Sequence, residues 1–149
     1  MNISNLILEG KLLNIKIGEN ADRISNLESI SVQQGDIPAL YGYYIDHLYF
    51  EITVIENTVV GIQFDLSYDT GKVSIETKEN KIELDGKTTF SDLVSFLKSI
   101  NWDFDHIGSE VYPKRIVMNR SECSFYFNYD DRLLKINNFD MKLYKKLTN

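Results

Sequence analysis

Residues 48–66 and 123–141 present the same succession of side-chain types twice. In the first, Leu48-Tyr49-Phe50-Glu51-Ile52 leads through Glu56-Asn57 to Val59-Val60-Gly61-Ile62-Gln63-Phe64-Asp65. In the second, Cys123-Ser124-Phe125-Tyr126-Phe127 leads through Asp130-Asp131 to Leu133-Leu134-Lys135-Ile136 and on to Phe139-Asp140. Each is an aromatic-rich strand, a polar turn and an aliphatic strand, closed by Phe-Asp and then by Leu66 or Met141. A short helical pattern precedes each. Alternation with period 2 gives such hairpins one apolar and one polar face. Two of them sharing an apolar side make one broad sheet, covered on that side by helices. The expected fold is α+β: a mostly antiparallel sheet built from two similar helix-then-strands units, with the helices on one face. A single domain should span 1–149, with pseudo-repeat halves at about 11–71 and 87–141.

Along the chain, Leu13, Ile15 and Ile17 alternate with Asn14 and Lys16 and predict a strand ending at Gly18. Asn20 is placed to cap a short helix carrying Ala21, Ile24 and Leu27 on one side. Residues 33–38 read as loop, and residues 41–54 as one extended run. A second hairpin is expected between Lys72 and Leu84, with Val73 and Ile75 facing Ile82 and Leu84 across Lys78-Glu79-Asn80. Thr89 followed three residues later by Asp92 resembles a capping box. Phe90, Leu93, Val94, Leu97 and Ile100 then fall on one helical stripe. Trp102, Phe104 and Ile107 should continue the core. Residues 115–118 read as a strand, and the basic tail from Lys142 to Lys146 as a last half-turn or a frayed end.

Composition enters through what it excludes. No stretch approaches the roughly 20 apolar residues of a membrane span. The start, Met1-Asn2-Ile3-Ser4-Asn5-Leu6-Ile7-Leu8-Glu9, lacks the basic segment of a signal peptide, so a cytoplasmic location is expected. Cys123 is alone and reads as a small apolar strand residue. The net charge of −6 is uneven: residues 1–75 hold ten acids against four bases, and residues 76–149 twelve of each. Nucleic acid is a poor partner for such a chain, because phosphate contacts need clustered Lys and Arg. A basic macromolecule suits the first half.

Catalytic chemistry finds little footing. The two histidines, His47 and His106, each follow an Asp, but no spacing offers three metal ligands. No Gly-x-Ser-x-Gly elbow or phosphate-cradling glycine loop is present. No enzyme activity, catalytic residue, metal or cofactor is therefore expected. The positive signal is five tyrosines among the acids of the first half, since Tyr gives a rigid amphipathic contact surface at low entropic cost. The candidate partner-binding residues are Asp36, Tyr41, Tyr43, Tyr44, Asp46, Tyr49, Glu51, Gln63, Asp65, Tyr68 and Asp69.

Several stretches carry a resemblance to small bacterial immunity proteins of polymorphic and contact-dependent toxin systems. They are Lys11-Leu12-Leu13-Asn14-Ile15-Lys16-Ile17-Gly18 leading into a short helix, and Tyr41-Gly42-Tyr43-Tyr44 ahead of Leu48-Tyr49-Phe50-Glu51-Ile52. Val59-Val60-Gly61-Ile62-Gln63-Phe64 and the helical stripe from Phe90 to Ile100 with its closing hairpin complete them. The layout is also similar to the repeated helix-and-strands arrangement of beta-lactamase-inhibitor-like and outer-membrane-assembly lipoprotein folds, which are binding folds. The resemblance implies a cytoplasmic protein that occludes a cognate toxin domain, such as a nuclease with a basic cleft, and it transfers no catalytic residues. The alternative is a structural or scaffold subunit of a homo-oligomer with no toxin partner.

Overall fold

The computed structural model of the chain describes residues 1–26, 31–33, 39–67 and 71–149. It opens with α1 (Ser4–Glu9), β1 (Lys11–Leu12), β2 (Ile15–Lys16) and a 3-10 helix (Ala21–Asn26). Strands β3 (Ser31–Gln33), β4 (Ala39–Ile45), β5 (Leu48–Ile55), β6 (Thr58–Asp65), β7 (Val73–Glu76) and β8 (Lys81–Leu84) follow. Then come α2 (Phe90–Ser99), β9 (Phe104–Ile107), β10 (Lys114–Met118), β11 (Ser124–Phe127), β12 (Leu133–Phe139) and α3 (Met141–Thr148). The fold is α+β. Its main sheet has eight strands in the order β3-β4-β5-β6-β12-β11-β10-β9. Every neighbouring pair in it runs antiparallel. Strands from the first half of the chain therefore fill one side, strands from the second half the other, and they meet at β6 and β12.

Alternation decides what each strand buries. In β5, Leu48, Phe50, Ile52 and Val54 are buried while Tyr49, Glu51 and Thr53 are half-exposed. Ile62 and Phe64 of β6 share the buried side with Ile136 and Asn138 of β12, because Phe64 pairs with Ile136 and Ile62 with Asn138. Phe125, Phe127 and Ile116 extend it. This side is closed by α1, α2 and the β7–β8 hairpin, whose Leu6, Ile7, Leu93, Leu97, Val73, Ile75 and Leu84 join the same core. The hairpin pairs as its sequence predicts, Val73 with Leu84 and Ile75 with Ile82. Asn138, 4% exposed, is the polar exception and donates from Nδ2 to the Leu6 carbonyl at 2.8 Å, tying α1 to the centre of the sheet.

The α2 capping box is present. Thr89 Oγ1 accepts from the Asp92 N–H at 3.2 Å, and Asp92 Oδ2 accepts from the Thr89 N–H at 3.3 Å. Thr89→Ala should lower stability by about 1 kcal/mol, read from the urea midpoint, whereas Thr89→Ser should be nearly neutral.

Five expectations are corrected. The strand expected from Leu13 to Gly18 shrinks to Ile15–Lys16: α1 ends at Gly10, left-handed at φ 66°, and Leu13 sits at φ 54° in the turn between β1 and β2, 46% exposed. The extended run over 41–54 is broken by Asp46-His47, both at positive φ (51° and 66°), as are Glu56-Asn57 (47° and 60°) in the next turn. Both are the two-residue turns whose twist matches a hairpin. Ile107 lies 48% exposed on β9, a strand that the sequence reading passes over. The tail is longer than a half-turn and not frayed: α3 runs eight residues, and Asp140 Oδ1 accepts from the Leu143 N–H at 2.9 Å and caps it. Nor do all helices share a face. Phe139, beside Gly61 on the side opposite the core, meets Tyr144 of α3 with ring centres 5.5 Å apart.

The Phe-Asp echo also resolves differently. Phe64 is fully buried, whereas Phe139 points to the other side of the sheet. The β11–β12 connection is three residues longer than Glu56-Asn57, and each hairpin carries a bulge. An odd change in register reverses which side chains face the core.

Candidate functional site

With one side filled by the core and α3 covering the Gly61–Phe139 end of the other, the rest of the main sheet offers a polar face. Cross-strand pairing assembles its first patch. Tyr44 of β4 lies opposite Tyr49 of β5, with ring centres 5.0 Å apart. Glu51 of β5 pairs with Gln63 of β6, and Gln63 with Asn137 of β12. The Tyr49 hydroxyl donates to Glu51 Oε1 at 3.0 Å. Burial first, and then that bond to a carboxylate, push the Tyr49 phenol up to about 12, so it remains a neutral donor. Asp65 Oδ1 accepts from the Ser67 N–H at 3.0 Å, which fixes the carboxylate at the strand's end. Tyr44, Tyr49, Glu51, Gln63 and Asp65 thus form one contiguous set on rigid backbone.

The remaining predicted contacts divide. Tyr43 is 1% exposed, stacked on Phe50 at 5.3 Å, and burial pushes its phenol up to about 12. It belongs to the core and is unavailable to a partner. Tyr41 pairs with Ile52 and packs half-buried against that same core. Alternation within β4 sends 41 and 43 inward and 44 outward, so a run of tyrosines in sequence is not a run in space. Asp46 sits in the β4–β5 turn. Asp36, Tyr68 and Asp69 lie outside the described residues.

A second patch, absent from the predicted set, occupies the β10–β12 side of the face. Arg115 of β10 donates from Nε and Nη2 to Ser124 Oγ at 3.2 and 3.0 Å. Its guanidinium carbon lies 5.1 Å from the Tyr126 ring centre. The Lys135 ammonium stands 4.6 Å from the Tyr126 ring centre and 5.0 Å from that of Tyr112, and the two rings meet edge-on at 4.8 Å. Arg115, Ser124 and Tyr126 of this patch line a groove of about 330 Å³ with Ile107, Val117 and Met141, and Lys135 stands beside it across the Tyr126 ring. Alternation through 123–127 and 133–139 already put Tyr126 and Lys135 outward. The search for acids and tyrosines in the first half passed over them.

Elsewhere, His106 faces the helices and lies 4.8 Å from the Phe90 ring centre, while His47 is a turn residue. Cys123 is fully buried, and burial pushes its thiol up to about 12, leaving it unreactive. Among the described residues no three His, Cys, Asp or Glu side chains come together as metal ligands, and no helix is long and apolar enough to cross a membrane.

No family model and no curated protein matches the chain. Among solved structures it is similar to a cysteine-rich secretory protein from Staphylococcus aureus subsp. aureus Mu50, with 9% sequence identity and a TM-score of 0.44 over 96% of this chain. The chain spans 50% of that structure's length. A likeness at this level assigns neither family nor activity.

Proposed function

We propose that this protein is a binding module of the immunity type, which captures a toxin domain with a basic surface and neutralises it by occlusion. The reading is carried by the Tyr44–Tyr49–Glu51–Gln63–Asp65 patch: aromatic and acidic groups held by paired strands, accessible at their polar ends and fixed before any partner arrives. Preorganisation of this kind reduces the ordering cost of association. Occlusion would bury about 1,600 Å² in total, an area within reach of one face of a sheet this wide.

We read the platform as two units, each a helix followed by four strands, related by an approximate two-fold through the Phe64–Ile136 pair. In support, Phe50 pairs with Phe64 in one hairpin, Phe125 pairs with Ile136 in the other, and Phe64 pairs with Ile136 across the seam. The equivalence is therefore closed under the sheet's own pairing, although it differs from the Phe-Asp alignment of the sequence.

The test is co-expression with a candidate toxin domain, taken from a toxin gene found immediately upstream of this one, followed by calorimetry at two salt concentrations. Wild type should restore growth, with an affinity that falls as salt rises. Joint Glu51→Lys and Asp65→Lys should weaken binding on the order of a hundredfold and flatten the salt dependence. Unchanged affinity removes the patch from the contact. The rival reading, a homo-oligomeric scaffold, draws on the opposite charge of the face's two halves. A stable oligomer by light scattering, with no capture of the toxin domain, would favour it.

A further inference from the structure

The groove on β10–β12 has a chemistry opposite to that of the first patch. Ion pairs among the described residues join Lys72 to Glu83 and Asp85, Lys81 to Glu76, and Lys114 to Asp131. Neither Arg115 nor Lys135 takes part in one. Lys135 is the cross-strand partner of Asp65, yet its ammonium is turned away onto the Tyr126 and Tyr112 rings. Arg115 is held from behind: Ser124, 2% exposed, accepts two of its N–H groups and in turn donates to the Glu122 carbonyl at 3.3 Å. A guanidinium fixed on one edge and lying over an aromatic ring presents its remaining donors in a set direction. That is the geometry that suits a planar carboxylate.

The walls narrow the occupant further. Ile107 and Met141, 48% and 49% exposed, put apolar surface beside Arg115. Glu122 also lines the groove, and Asp105 stands on the same side of β9 as Ile107, so negative charge flanks Arg115, with Lys135 beyond the Tyr126 ring. A phosphate backbone, which needs an uninterrupted basic track, fits poorly. We infer that this groove binds a short acidic segment of a protein, in which a carboxylate is followed by an apolar or aromatic side chain. The inference deepens the proposed function and rests on it for the identity of the protein presenting the segment. That protein would offer basic groups to β4–β6 and an acidic-apolar stretch to β10–β12, which fixes its orientation on the sheet.

The groove is testable without any toxin. The probe is the capped hexapeptide Gly-Asp-Leu-Asp-Phe-Gly, titrated into isotope-labelled full-length protein and followed by amide chemical shifts. The expected result is saturable shifts at Arg115, Ser124, Tyr126 and Asn137. The peptide with Asn in place of Asp should bind at least about tenfold more weakly. Lys135→Gln, which removes the half-buried cation beside the groove, should weaken the acidic peptide by roughly tenfold, and Arg115→Gln, inside it, by more. Thermal unfolding of each variant separates lost binding from lost folding, and Lys135→Gln alone decides if Arg115→Gln unfolds. Glu51→Lys with Asp65→Lys should leave peptide binding in place, so failure here is distinct from failure of the first patch. Equal binding of the Asn peptide, shifts confined to Tyr49 and Glu51, or no shift at all would overturn the inference. So would tighter binding of oligothymidylate at the same amides, which would assign the groove to nucleic acid.

Discussion

Phe64→Ala should lower the unfolding free energy by about 3–5 kcal/mol, about a fifth or more of the roughly 5–15 kcal/mol typical of a domain. Phe64 is fully buried, its ring lies 5.4 Å from that of Phe50, and its backbone is flanked by Phe50 on β5 and Ile136 on β12. Because strands on both sides hold it in register, the wall cannot collapse into the space the ring leaves, and the cavity cost adds to the lost transfer energy. Phe64→Leu keeps most of the volume and should cost under about 1.5 kcal/mol. Urea denaturation of the two variants beside wild type measures the contrast. Equal midpoints for alanine and leucine would mean that the seam between the halves is not packed as described.

Gly61→Val is the second large effect, expected at about 1–3 kcal/mol with a consequence beyond stability. A Cβ at Gly61 would overlap the Phe139 ring. That ring must then swing aside, and Tyr144 of α3 rests against it. The carboxy-terminal helix should undock, so limited proteolysis should clip residues 141–149 from the variant well before wild type. Adding Phe139→Ala removes the obstruction. The double variant should therefore recover part of the loss, giving a coupling on the order of 1 kcal/mol in a double-mutant cycle. Strict additivity of the two substitutions would contradict the packing.

What could be read from the chain beforehand followed from strong local signals. Thr89 and Asp92, the Leu93–Leu97 stripe and the β7–β8 pairing are all set by residues within a few positions of one another, and each was legible. The turn at Asp46-His47 was harder, since it lacks the glycine of the commonest hairpin turns. A signal existed nonetheless. Large apolar side chains shift from odd positions (Tyr41, Tyr43, Ile45) to even ones (Leu48, Phe50) across it, which an unbroken one-sided strand does not allow. The acid-and-tyrosine patch was half legible: β5 and β6 alternate cleanly, so Tyr49, Glu51, Gln63 and Asp65 were assigned to the right face, while Tyr43 was not. The cationic groove was legible only in part: alternation put Tyr126 and Lys135 outward, but β9 was not read as a strand, so the wall that Ile107 adds beside Arg115 was missed.

The seam between β6 and β12 bears on how the chain comes off the ribosome. Asp65 and Lys135, neighbours in the finished sheet, are 70 residues apart in the chain. At 5–20 residues per second, roughly 4–14 s of synthesis separate them. Throughout that interval the hydrogen-bonding groups on one side of β6 have no neighbour, and Phe64 lacks its Ile136 partner on that side. A nascent chain stalled there would present a sticky border to any extended peptide nearby, which makes the interval the moment at which a chaperone would matter most.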